Sequence, residues 1–297
     1  MTKGNRVTIL DIETQDKLKL FAADTLTWYS LNGRKLPWRE TTNSYYILLS
    51  EFMLQQTQVS RVITKYEEFV CRFPKIIDLA NAPLANVIQL WVGLGYNRRA
   101  KFLQESAKAI VQKHNSQVPQ TENELLALPG IGPYVANAIL AFAFHKPVVV
   151  IDANIKNVMN KVFGLTIQEI PSALEFCMTH TIGGEKTADF YNALMDIANE
   201  YYTKNANYAT YPYKSYCKWL NGDSIPELKK YKQSKFLHSN RWYRGQILKE
   251  LSLRDSIQMT RFSELEKDES EKYYAALLQL KSEQLVIEEN GKIYLPK

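Results

Sequence analysis

The chain has 297 residues, 45% hydrophobic and 23% charged, which is enough apolar material for about two domains and leaves no long stretch with the composition of a disordered segment. The formal net charge of +6 permits a polyanionic partner without demanding one. Three scattered cysteines (Cys71, Cys177, Cys217) argue against a disulfide framework, and no apolar run is long enough to cross a membrane. The N-terminus, polar and without an apolar core segment, does not read as a signal peptide, so a soluble intracellular protein is expected.

Residues 1–20 carry no clear pattern, and Phe21–Ser30 reads as a short helix followed by an Asn32-Gly33 turn. Ser44 is placed to cap a helix from Tyr45 to about Thr57, and Val59 to Phe73 carries an apolar stripe at i, i+3, i+4 spacing. Leu84–Val92 is a further helix, stopped by Gly93 and Gly95. Tyr96–His114 is another, opening with the cations Arg98, Arg99 and Lys101. Thr121 and Glu124 fit a capping box for a helix through Ala127.

The stretch Leu128–Asn154 follows. Pro129-Gly130-Ile131-Gly132 is a turn whose two glycines permit positive φ and close approach of a ligand to the backbone. Pro133 is suited to the first position of a helix running to about Phe144, and the start of such a helix favours an anion. A β-branched run, Val148-Val149-Val150-Ile151, then leads to Asp152. Helices are expected near 155–162, 171–181 and 187–202, so the first 220 residues read as all-α.

Residues 201–217 hold six tyrosines, and 226–234 are charged and linker-like. Beyond them a helix over Arg241–Leu251 is capped by Ser239, a second begins after Thr260, and a third spans about Glu271–Lys281. Two short apolar runs flank Glu289-Asn290-Gly291, a strong hairpin signal. Three helices and a terminal β-hairpin predict a winged helix over 235–297.

Two carboxylates stand out. On a helix at 100° per residue, Ile47, Leu48 and Leu54 surround Glu51; enclosed that way, its pKa rises and it becomes a general acid or base near neutral pH. The alternative is a helical glutamate whose carboxylate reaches solvent. Asp152 is placed as a helix N-cap, where the dipole favours its anion. A protonated Glu and an ionised Asp are the pair that glycosidic bond cleavage requires. Arg39, Arg98, Arg99 and Lys101, with Trp38 and Tyr96 nearby, either grip a polyanionic backbone and stack on bases or form a solvated face. No metal-ligand spacing, G-x-S-x-G or Walker pattern is present.

Taken together, Leu36-Pro37-Trp38-Arg39, the run from Leu49 to Val59, Gly93-Leu94-Gly95-Tyr96, Leu128–Tyr134 and Ile151-Asp152-Ala153-Asn154 resemble the motifs of the helix-hairpin-helix DNA glycosylases, and among them the MutY-type mismatch adenine glycosylases. The resemblance covers about residues 25–217. It implies a two-lobed all-α glycosylase domain over 1–225, with a six-helix lobe near 30–140 and a second lobe from the N-terminus plus about 141–225. It implies a double-stranded DNA substrate containing a mismatch or lesion, adenine opposite G or 8-oxoguanine favoured, with thymine or uracil opposite G, or a non-catalytic DNA-binding protein, as alternatives.

Carried over by position, the resemblance implies that Glu51 protonates the base and that Asp152, assisted by Tyr134 and Asn154, stabilises the sugar cation. Gln56 and Tyr96 wedge into the duplex beside the flipped nucleotide, with Gln55 and Arg98 contacting DNA nearby. Gly130 and Gly132 hold a backbone phosphate, and Trp38 and Arg39 border the base pocket. Bifunctional relatives carry a lysine where Tyr134 stands, so a monofunctional enzyme is expected.

Two departures follow. Of the family's four iron–sulfur cysteines Cys217 alone is present, with Tyr208, Tyr211 and Tyr201 or Tyr202 at the other positions; no cofactor or metal is expected, and the tyrosines are expected to pack as an aromatic plug. A winged helix is expected in place of the usual Nudix-like reader of 8-oxoguanine. A monomer is expected, cytoplasmic, or nucleoid-associated if the source is prokaryotic.

Overall fold

The computed structural model describes residues 11–203, 206–228 and 235–297. In chain order the helices are α1 (Ile12–Asn32), α2 (Ser44–Leu54), α3 (Val59–Arg72), α4 (Ile76–Asn81), α5 (Leu84–Trp91), α6 (Arg98–Lys113), α7 (Glu122–Leu126), α8 (Pro133–Phe144), α9 (Ala153–Phe163), α10 (Ile170–Cys177) and α11 (Thr187–Tyr201). Beyond residue 235 come α12 (Asn240–Leu253), β1 (Ile257–Gln258), α13 (Thr260–Ser263), α14 (Lys267–Ser282), β2 (Ile287–Glu289) and β3 (Lys292–Tyr294). Among the described residues, no helix is long and apolar enough to cross a membrane.

The chain forms two compact units. One joins Met1–Thr42 to Ala136–Tyr231, the other Asn43–Val135 to Lys232–Lys297. In the first, α1 packs on α10 and α11, and α9 packs on α11. α1 is longer than its apolar pattern suggests. Asp11 caps it by accepting from Thr14 N at 2.7 Å, and Lys17 pairs with Glu13 one turn back, so the polar start is held by local contacts rather than burial. Its buried face, Leu18, Phe21, Ala22, Thr25 and Trp28, begins one turn later.

In the second unit, α2 is capped by Asn43, not Ser44: Asn43 Oδ1 accepts from Tyr45 N at 3.0 Å and Tyr46 N at 3.4 Å. α2 also stops at Leu54, three residues before the expected end, because Gln56 turns left-handed at φ 54°. α6 begins at Arg98, leaving Tyr96 in the preceding loop at φ 47°.

The C-terminal strands form a three-stranded antiparallel sheet in the order β1-β3-β2, with Ile257 and Glu288 both opposite Ile293. Asn290 and Gly291 turn the β2–β3 hairpin with φ of 50° and 71°, the two positive values a type I′ turn needs. Strand β1 is too short for a sequence pattern and is held by pairing with β3. The core beneath this sheet gathers Ile247, Leu248 and Leu251 of α12, Phe262, and Ala276, Leu277 and Leu280 of α14. It also includes Ile88 of α5, and Ala85 N donates to Pro296 O at 2.9 Å. The C-terminal segment therefore shares a core with α5.

Candidate active site

Glu51 lies on α2, where every residue from Ile47 to Met53 is buried. Its side chain is enclosed as the helical spacing predicts, and the residue is 4% exposed. Beyond Glu51, the last carbonyls of α2 have no helical partner, and Arg99 takes them: Nη1 donates to Phe52 O at 2.7 Å and Met53 O at 3.0 Å. Its Nη2 donates to Thr57 Oγ1, Leu94 O and Gly95 O at 3.0 to 3.3 Å. Burial pushes the guanidinium pKa down to about 10, which leaves it charged at neutral pH.

Arg99 is therefore neither a solvated cation nor a backbone grip. It is a buried tie that fastens the loop carrying Gln55 and Gln56 to the loop carrying Tyr96. Sequence reasoning missed this role, though one signal was present: a cation in the first turn of α6 opposes the helix dipole, so some other contact must hold it there.

Gln55, Gln56, Tyr96 and Arg98 come together around one pocket of about 310 Å³. Arg98 is exposed and lies over the Phe102 ring, 4.7 Å from its centroid. The hairpin packs on the same residue, and its two glycines differ. Gly130 has φ +76°, and a Cβ there would sit 2.7 Å from Phe102 Cβ; Gly132 has no left-handed φ, and its Cβ would meet nothing within 4 Å. Steric need explains Gly130 but not Gly132. Tyr134, in the first turn of α8, is half-buried.

In the other unit Asp152 is the N-cap of α9. Oδ1 accepts from Ile155 N at 2.7 Å and Oδ2 from the Asn154 amide at 3.2 Å. Burial raises its pKa above the ordinary aspartate value, outweighing the Ile155 and Asn154 hydrogen bonds and Lys156, which lower it. The capping role is as expected; the ease of ionisation is not.

Trp38 is buried, and Arg39 is tied down more tightly than a base-pocket border or a backbone grip would require. Arg39 donates from Nη1 to Asp196 Oδ2 at 2.7 Å and from Nη2 to Asp196 Oδ1 at 2.9 Å, and Arg34 Nε donates to the same carboxylate at 2.7 Å. Asp196 is 2% exposed; burial raises its pKa, but the two arginines outweigh that and hold it below the ordinary range. An acid set among Ala193, Leu194, Ile197 and Ala198 was the sequence signal for this pairing.

The tyrosine segment is packed and internally bonded. Tyr208 donates to Tyr201 O at 2.6 Å, Tyr202 and Tyr211 share a hydroxyl contact at 2.7 Å, and Cys217 Sγ donates to Lys161 O at 3.3 Å. Tyr211 and Tyr213 are buried, and burial pushes both phenols far above their ordinary pKa. Such phenols do not replace thiolates. Cys71 is exposed in the other unit and Cys177 points its thiol at Leu18 O, so the residues present do not fit a four-thiolate cluster. Among the described residues no group of three or more His, Cys, Asp or Glu is placed to hold a metal.

Residues 49–178 match the HhH-GPD superfamily of base excision DNA repair proteins. The chain is 39% identical over 209 residues to an adenine DNA glycosylase of Buchnera aphidicola, covering 68% of this chain and 59% of that protein. To the adenine DNA glycosylase of Mycolicibacterium smegmatis it is 32% identical over 242 residues, covering 80% of this chain and 82% of that one. The chain spans about half the length of several curated relatives it matches. Among solved structures, a thermostable thymine-DNA glycosylase superposes with a TM-score of 0.63 at 27% identity, covering 70% of this chain and 98% of that one. With its hairpin, buried glutamate and capping aspartate, the chain belongs to the HhH-GPD superfamily of base excision DNA repair proteins, within the adenine DNA glycosylase family.

Proposed function

We propose that this chain is a monofunctional adenine DNA glycosylase that flips a mispaired adenine from duplex DNA and hydrolyses its N-glycosidic bond. The observation that carries the reading is Glu51, a carboxyl 4% exposed on a wholly buried stretch of α2, in a chain of this family. A carboxyl so enclosed is placed to serve as the acid for the departing base. Asp152 is the anion that stabilises the sugar cation, aided by Asn154 and Tyr134. Identity to the adenine glycosylases exceeds that to the thymine glycosylase, which favours adenine as the base.

Gln56 and Tyr96, both at positive φ on loops tied by Arg99, are the wedge beside the extruded nucleotide. Tyr134 offers no amine, so no Schiff base forms there. The C-terminal α12–β3 segment is a winged helix, and the enzyme works as a monomer in the cytoplasm or on the nucleoid without an iron–sulfur cluster, the tyrosine plug standing in its place.

Single-turnover cleavage of duplexes carrying A opposite 8-oxoguanine, A opposite G, T opposite G and U opposite G tests the reading. Adenine strands are expected to be cut after alkali alone. Glu51→Gln and Asp152→Asn each lose activity by at least about a hundredfold, the ordinary reach of acid–base catalysis. Cutting of only T or U strands would move the base assignment; borohydride trapping of a covalent adduct would refute monofunctionality. Purified protein should be colourless and free of iron.

A further inference from the structure

Gln56 and Tyr96 line two depressions, the small pocket toward Arg98 and Phe102 and a larger groove of about 780 Å³ against α12. They form the ridge between the two. The larger groove presents Arg61, Arg241 and Lys249 together with Tyr96, Phe236 and Trp242, and among the described residues no carboxylate lines it. Arg61 and Lys249 are exposed, and no described residue pairs with either side chain. Two other cations of this unit are engaged: Lys101 donates to Gln284 Oε1 at 2.7 Å and Arg244 pairs with Glu283. Arg241 reaches the ridge itself, its Nη1 donating to the Tyr96 hydroxyl at 2.7 Å. Phe236 is 59% exposed on the loop before α12.

Arg61 and Lys249, beside aromatic rings and the amide of Gln56, suit one class of ligand, a nucleic-acid strand whose phosphates meet the cations and whose bases stack. We propose that this groove holds the DNA strand that is not cut, with α12 of the C-terminal segment supplying Arg241 and Lys249 to it and Arg241 positioning Tyr96. The strand assignment rests on the proposed function. The hairpin, taken as the seat of the cut strand, packs on Phe102, which lines the small pocket with Arg98, so the groove lined by Arg61 and Lys249 is left for the complement.

The test is the salt dependence of duplex binding by the full chain, using a mismatched and a fully paired duplex. Arg61→Ala and Lys249→Ala are each expected to weaken binding severalfold and to reduce the slope of log K against log salt by about 0.9, one phosphate contact each. Lys249→Arg is expected to keep the wild-type slope. Methylphosphonate linkages placed on one strand at a time identify the strand. On the uncut strand they weaken the wild type but add nothing to Lys249→Ala. Unchanged slopes, or the same non-additivity on the cut strand, would overturn the proposal. Failure of the wild type to excise adenine while these slopes hold would sink the base assignment and leave the groove standing.

Discussion

Asp152 sits under opposing influences. Burial raises its pKa, while the Ile155 N–H and the Asn154 amide lower it. If its anion is the working form, activity falls as pH drops through that raised pKa, so the acid limb of the pH–kcat profile lies above the ordinary aspartate range. Asn154→Ala removes one lowering contact and is expected to move that limb to still higher pH, with the alkaline limb unmoved. An acid limb that stays in place would show that Asp152 does not set it. At this scale the sequence was informative about residue identity and poor about partners. The burial of Glu51 and the N-cap position of Asp152 were legible from their flanking residues. The commitments of Arg39 to Asp196 and of Arg99 to the α2 carbonyls were not, because each joins residues far apart along the chain.

Among the elements, the hairpin before α8 separates two reasons for a glycine. Gly130→Ala places a methyl against Phe102 at φ +76°, so it is expected to cost at least about 1–2 kcal/mol of stability. Gly132→Ala meets nothing and needs no left-handed backbone, so stability should stay within about 0.5 kcal/mol while duplex affinity falls. Thermal melts paired with binding isotherms check both. A Gly132→Ala protein that binds as the wild type does would remove the phosphate seat. The longer helices were legible from apolar periodicity. Their ends were set by contacts that periodicity does not record: Asp11 extends α1 by local capping, and the left-handed Gln56 ends α2 early.

Across the molecule, both units are assembled from separated segments of chain. Composition and turn signals marked the C-terminal segment as a pattern of its own. They did not show that Ile88 of α5 lies in its core. A shared core makes the segments unfold together. Leu248→Ala in α12 and Ile88→Ala in α5 are each expected to lower the same cooperative transition by about 2–5 kcal/mol. Hydrogen exchange in Leu248→Ala should show faster exchange of α5 amides as well as α12 amides. Loss of protection confined to α12 would mean that the segment stands alone.

The bond between Thr25 and Tyr213 spans 188 positions of chain. On the ribosome α1 emerges well before the residues that cover it, which arrive on the order of ten seconds or more later at ordinary elongation rates. Through that interval Leu18, Phe21 and Trp28, all buried in the finished protein, have no native surface to meet. The nascent chain thus offers an uncovered apolar surface on α1, the kind of surface a holdase chaperone engages. Expression yield should respond to translation speed and chaperone supply more than the stability of the finished fold would suggest.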